Sequence, residues 1–248
     1  MRLIAEFAAP ALNSGTAMLS CPQVFENLHV APGLAFLFDM DGVIVESTVL
    51  HTRAWELYLS RLGIDSKGIM ARMLGKRNDQ IVHDIFGPDL PADEVFRHGA
   101  DKERLYREMM APVLRAQLVP GVVDFVQAAH ALGVPCALAT NAEPLNVEFV
   151  LAGAGLGGCF QTIVDGHQVS RPKPDPEVYL TASGRLGVDP VNCVVFEDSP
   201  GGMQAARAAG AHLVGLLTTL TEAPLAGLAV PDFLDERLLP WISALEPR

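Results

Sequence analysis

The sequence predicts an α/β protein: a doubly wound parallel sheet with one helical module inserted into it. Three observations predict this. Short apolar runs recur from residue 34 onward, each bounded by Gly, Pro, Asn or Asp, as for strands buried on both faces. Helical patterns separate the runs, and such β-α-β-α alternation builds a parallel sheet covered by helices on both sides. The alternation breaks once, over residues 48–112, where helix patterns stand without a strand signal.

The elements follow in order. "LAFLFD" (34–39) is the first strand, and two carboxylates, Asp39 and Asp41, stand at its tip. "TVLHTRAWELYLSRLG" opens the inserted stretch and "ADEVFRHGADKERLYREMMAPVL" closes it. A module placed there sits above the tip of the first strand, as a lid. After Pro120-Gly121 comes the helix "VVDFVQAAHAL", then the strand "PCALATN" (135–141) and the helix "PLNVEFVLAGAGL". The strand "QTIVDG" (161–166), the helix "PEVYLTASGRLG" and the strand "CVVFED" (193–198) follow. Ser199-Pro200 reads as an N-cap with Pro at the first helical position, opening "GGMQAARAAG" before the strand "HLVGLL" (212–217). The tail after Leu220 is expected to end in a helix against the core. The expected division is a loosely ordered N-terminal extension (1–33), a core (34–47 and 113–248) and a helical cap (48–112).

Half of the 248 residues are apolar and 19% are charged, which suits a packed core rather than disorder. The net charge is −11, and the 18 Lys and Arg are scattered. Tight binding to nucleic acid or to an anionic membrane needs a concentrated positive surface, so neither is expected. No stretch is long and apolar enough to span a bilayer. The four cysteines show no C-x-x-C spacing, and Cys136 and Cys193 lie in apolar runs, which reads as a reducing cytoplasm. A monomer is the expected state.

Polar residues gather where strands end: Asp39 and Asp41, then Thr140-Asn141, then Glu197-Asp198, with Lys173 between prolines ahead of a helix. In open parallel sheets these ends converge on the ligand. Neighbouring carboxylates need a cation between them, and oxygen ligands without His or Cys point to Mg²⁺. Thr140 and Lys173 add a hydroxyl and an ammonium suited to phosphate oxygens. Together these parts describe phosphoryl transfer, with one Asp attacking phosphorus and the other managing the proton.

"DMDGV" (39–43), "ATN" (139–141), Lys173 in "RPKPDP" and "EDS" (197–199) resemble, in order, the four motifs of the haloacid dehalogenase superfamily. The resemblance runs from Leu34 to Leu217. It implies Asp39 as nucleophile through an aspartyl-phosphate and Asp41 as general acid and base. It also implies Mg²⁺ held by Asp39, the backbone carbonyl of Asp41 and Asp198, with Glu197 in support. Thr140, Asn141 and Lys173 would bind the transferring phosphoryl group. The place of the insertion resembles the branch with a small helical cap, and its detail is similar to β-phosphoglucomutase-like proteins. That likeness implies a cap-hinge role for His51, a grip on a non-transferring phosphate for Arg77, and a place near the sugar for Lys102. From the helix pattern alone, these three also read as packed or solvated side chains. Asn146, at a helix start, is a further candidate for phosphate. Where the mutases carry a Ser-Lys type pair, this chain has Ala142-Glu143, which disfavours a second phosphate and favours hydrolysis. The expected protein is a cytoplasmic Mg²⁺-dependent phosphatase of a small metabolite, a sugar phosphate. A phosphosugar mutase and a non-catalytic phospho-ligand binder are the alternatives.

Overall fold

Parallel strands form where the apolar runs stand: β1 (Ala35–Phe38), β2 (Cys136–Ala139), β3 (Thr162–Val164), β4 (Cys193–Glu197) and β5 (His212–Leu216). The structure, a computed structural model, describes residues 25–73 and 76–248. A sixth strand, β6 (Leu228–Val230), extends the sheet to the order β3-β2-β1-β4-β5-β6. All pairings are parallel. The order reverses direction at β1, so the crevice at its carboxyl end lies between β2 and β4. Phe38 stands opposite Leu138 and Phe196, which brings the ends of these three strands to one level.

Helices cover both faces of the sheet because each strand is apolar on both. On one face Phe36, Phe38, Phe125, Phe196 and Phe233 form an aromatic layer, with Phe38 and Phe196 stacked at 4.7 Å. The other face packs small residues, Ala137, Ala139, Ala182, Ala205 and Ala206, around Tyr179 and Met203. Core helices are α5 (Val122–Ala131), α6 (Pro144–Ala154), α7 (Glu177–Leu186) and α8 (Pro200–Ala208). As expected, α8 begins with Ser199 as N-cap, whose hydroxyl accepts from Gly202 N at 3.1 Å, and Pro200 follows it.

Between β1 and α5 lie α1 (Thr48–Arg61), α2 (Ile69–Met73), α3 (Asn78–Phe86) and α4 (Ala92–Met110), all inside the 48–112 stretch. A 3₁₀ turn (Leu114–Gln117) returns the chain. The two passages between these helices and the sheet run side by side, Glu46 N bonding Gln117 O and Val119 N bonding Ile44 O.

Two features differ from the sequence reading. The tail after Leu220 holds β6 before its helix α9 (Leu238–Ser243), because three residues are too few to show a strand periodicity. Residues 25–33, assigned above to the extension, carry Phe25 and Leu28 into the core, Phe25 meeting Phe125 edge-on at 5.5 Å. The rest of the proposed extension, including Cys21, lies outside the described residues, as do Leu74 and Gly75.

Candidate active site

Four strand-end segments meet above β1. Asp39 continues β1, its N–H bonded to Phe196 O, and its side chain is almost fully buried. Lys173 reaches it from the loop before α7: Nζ stands 2.9 Å from Asp39 Oδ1 and 2.6 Å from Glu197 Oε1. The ammonium also lies 4.9 Å from the centre of the Tyr179 ring, whose hydroxyl donates to Glu197 Oε1 at 2.9 Å. Burial opposes charge on Lys173, but the carboxylates of Asp39 and Glu197 outweigh it and push the amine up to about 12.

Glu197, fully buried, spends its other oxygen on the N–H groups of Asp198 and Ser199 and on the Ser199 hydroxyl. It thus fixes both Lys173 and the loop carrying Asp198. Gly202 leaves it room, since a Cβ there would stand 1.7 Å from Glu197 Oε1. Asp198 accepts from the Thr219 hydroxyl. Oxygens of Asp39, Glu197 and Asp198 lie within 4.8 Å of one another. Burial, then mutual repulsion, pushes the Asp39 carboxyl to about 7 and that of Asp198 well above its ordinary range. Lys173 alone does not neutralise this group. Gly42 closes the turn with φ +77, and a Cβ there would meet Asp198 Oδ2 at 1.9 Å, so only glycine lets the backbone approach.

Asp41 turns toward the inserted helices. Its Oδ1 accepts from the Ser47 hydroxyl at 2.6 Å and lies 3.5 Å from His51 Nε2. Ser47 precedes α1 yet makes no cap bond; its hydroxyl serves Asp41 instead. Burial would raise the Asp41 carboxyl, but His51 and Ser47 outweigh it and hold it low. His51 stacks on Tyr106 at 3.7 Å, and its Nδ1 stands 3.1 Å from Lys102 Nζ. Lysine can only donate, so in the neutral ring the proton sits on Nε2 and faces Asp41.

Thr140 is buried, its hydroxyl oxygen accepting from Ala142 N at 3.1 Å, and Asn141 Oδ1 is 3.5 Å from Lys173 N. With Asp39, Asp41, His51, Arg77, Lys102, Lys173 and Asp198, they line a cavity of about 120 Å³. The structure therefore brings the sequence-selected residues together, with Glu197 just beneath. Two stand in unexpected company. The Arg77 guanidinium is engaged by Asp79 and by the carbonyls of Gly166 and Val169. Asn146 lines the cavity too, with its side chain bonded to Glu103 and Arg107. Glu143, beside it, pairs with Arg107 at 2.7 Å.

Sequence reasoning missed Glu103, which is buried in the cavity wall. Its Oε1 takes Lys102 Nζ at 2.5 Å and Asn78 Nδ2 at 2.6 Å, and its Oε2 takes Asn146 Nδ2 at 2.7 Å. Burial opposes its ionisation, but Lys102 and His51 prevail and hold it at about 2. Ser47, Tyr179 and Thr219 were missed as well; only the adjacency of Glu103 to Lys102 offered a signal.

Comparison with known proteins bears on the family and the fold. The family model of haloacid dehalogenase-like hydrolases matches residues 34–210. Fructose-1-phosphate phosphatase YqaB of Escherichia coli is 35% identical, covering 72% of this chain and 93% of its own. A mutant of CbbY from Rhodobacter sphaeroides, solved with xylulose-(1,5)bisphosphate, superposes with a TM-score of 0.71 at 27% identity, over 81% of this chain and 95% of its own. A β-phosphoglucomutase from Clostridium difficile gives a TM-score of 0.72 at 24% identity, over 84% and 96% of the two chains.

Proposed function

The chain belongs to the haloacid dehalogenase-like hydrolases, and from that premise we propose that it is a Mg²⁺-dependent phosphatase of a small sugar phosphate or sugar-alcohol phosphate. The observation that carries the reading is the buried group of Asp39, Lys173, Glu197 and Asp198 at the carboxyl end of β1.

These residues fit a hard divalent cation. The donors are carboxylate oxygens, the carboxyls of Asp39 and Asp198 are held above their ordinary range, and Gly42 keeps the space beside Asp198 open. Asp39 and Asp198 would hold Mg²⁺, with the backbone carbonyl of Asp41. Glu197 supports them, since both its oxygens already accept from the protein. When bound, the ion screens the carboxylates from the phosphoryl oxygens.

Asp39 attacks phosphorus, and the bond from phosphorus to the substrate oxygen breaks. The departing alkoxide takes a proton from Asp41, leaving an aspartyl-phosphate. Asp41 then takes a proton from water as that water attacks the phosphorus, freeing phosphate and Asp39. His51 and Ser47 favour the anionic form needed for the second step. The phosphoryl charge brought alongside favours the protonated form needed for the first. Lys173 and the Thr140–Asn141 turn hold phosphoryl oxygens, and α1–α4 act as a cap that keeps bulk water out.

The test is phosphate release from a panel of sugar and sugar-alcohol phosphates, with and without Mg²⁺. Release that needs the metal and falls by about 10³-fold or more in Asp39→Asn is expected. Release that survives the substitution overturns the mechanism. The likeness to a mutase, at its identity, speaks to fold alone.

A further inference from the structure

The cations lining the cavity are already committed. Lys173 pairs with Asp39 and Glu197, Lys102 with Glu103, Arg77 with Asp79, and Lys76 with Asp84. Arg77 is further tied to the carbonyls of Gly166 and Val169. The Asp39–Lys173 group is engaged by the transferring phosphoryl, so a second anion on the substrate would have to draw on the others. Lys76 is the easiest to recruit, because its pair is exposed by 42% and 43% on its two sides and such pairs are weak. Yet Lys76 shares the cavity with Glu103, whose surroundings keep it ionised.

The remaining polar groups there suit a hydroxyl. A hydroxyl both donates and accepts, whereas a phosphate dianion only accepts. Glu103 is an acceptor, Asn78 offers both kinds of group, and both line the cavity. Trp55 lines it too, and its indole N–H has no hydrogen-bond partner among the described residues.

We propose that Glu103 is a specificity-determining residue: it admits phosphate monoesters whose far end is uncharged and hydroxylated, and turns away those with a second phosphoryl or carboxylate group. This rests on the phosphatase reading and deepens it. Glu103 already takes the Lys102 ammonium, so the pair offers a second anion no net positive charge, and an anion that drew Lys102 away would leave a buried carboxylate unpaired. The bisphosphate in the CbbY structure makes the opposite preference the natural rival.

Calorimetric titration tests this on the Asp39→Asn protein with Mg²⁺, using fructose 1-phosphate and fructose 1,6-bisphosphate as probes. The monophosphate is expected to bind about tenfold tighter or more. Adding Glu103→Gln should close or invert that ratio by improving the bisphosphate. If Glu103→Gln proves unfolded by circular dichroism, Lys76→Gln decides: bisphosphate affinity as weak as with Lys76 in place supports the proposal, and a further tenfold fall shows that Lys76 had been holding the second phosphate and overturns it. Bisphosphate binding as tight as monophosphate, or neither ligand binding at millimolar concentration, overturns it. A ratio untouched by a folded Glu103→Gln also overturns it. Failure of the phosphatase reading is separate, showing as no phosphate release by the unsubstituted protein from any ester, p-nitrophenyl phosphate included.

Discussion

Asp39 combines two demands that conflict in the absence of a metal. Burial, with Glu197 and Asp41 nearby, raises its carboxyl from an ordinary 3.8 to about 7, against the pull of Lys173. A raised folded value means that the folded protein binds this proton more tightly than the unfolded chain does. The contribution to stability is therefore full below about pH 3.8 and is lost as pH climbs through about 7. In metal-free buffer Asp39→Asn should raise the melting temperature more at pH 8 than at pH 5, by a few degrees. Scanning calorimetry in EDTA reads the difference, and an equal rise at both pH values would contradict it. The residues of this cluster were legible in the sequence because a parallel sheet delivers every strand end to one rim. Glu103 and Ser47 were not. The partners of Glu103 come from α3 and α6 as well as from Lys102 next door, Asn146 lying 43 positions along the chain, and no local pattern encodes such a meeting. Arg77 was legible as a cavity residue, but its local partner Asp79 and the loop carbonyls were not.

At the scale of elements, α4 and α6 are joined by a compact polar clasp. Arg107 Nη1 donates to Glu143 Oε1 at 2.7 Å and to Asn146 Oδ1 at 2.6 Å, while Asn146 Nδ2 donates to Glu103. Glu143, which breaks the mutase-like pattern in sequence, thus stands at the start of α6 as the partner of an arginine on α4. Arg107→Ala leaves that carboxylate without its cation and frees the end of α4. A loss of about 1–3 kcal/mol in urea unfolding is expected, with KM raised if α1–α4 act as the proposed cap. An unchanged midpoint and KM would show that the clasp contributes nothing. The longer elements were legible from periodicity, α1 and α4 included. β6 was not, because it is defined by its pairing with β5 (Val214 with Leu228, Leu216 with Val230) rather than by its own three residues.

For the whole molecule, the net charge of −11 sets a repulsive field for any phosphate ester approaching from afar. Salt shortens that field, from about 30 Å of reach at 10 mM to about 8 Å at 150 mM. At fixed free Mg²⁺, kcat/KM should rise over this range of NaCl; a fall would mean that the cations at the mouth dominate the approach. The aromatic layer under the site has a different consequence, one of timing. Phe36, Phe38, Phe125, Phe196 and Phe233 clamp β1 and β4 from below, so the amides of these strands trade their hydrogens with solvent only when the entire fold comes apart. The inserted helices are joined to the sheet by two chain passages, and faster exchange of their amides is the expected outcome of a hydrogen-exchange measurement. Asp39 is therefore rooted in the ground expected to exchange slowest, whatever the helices above it do.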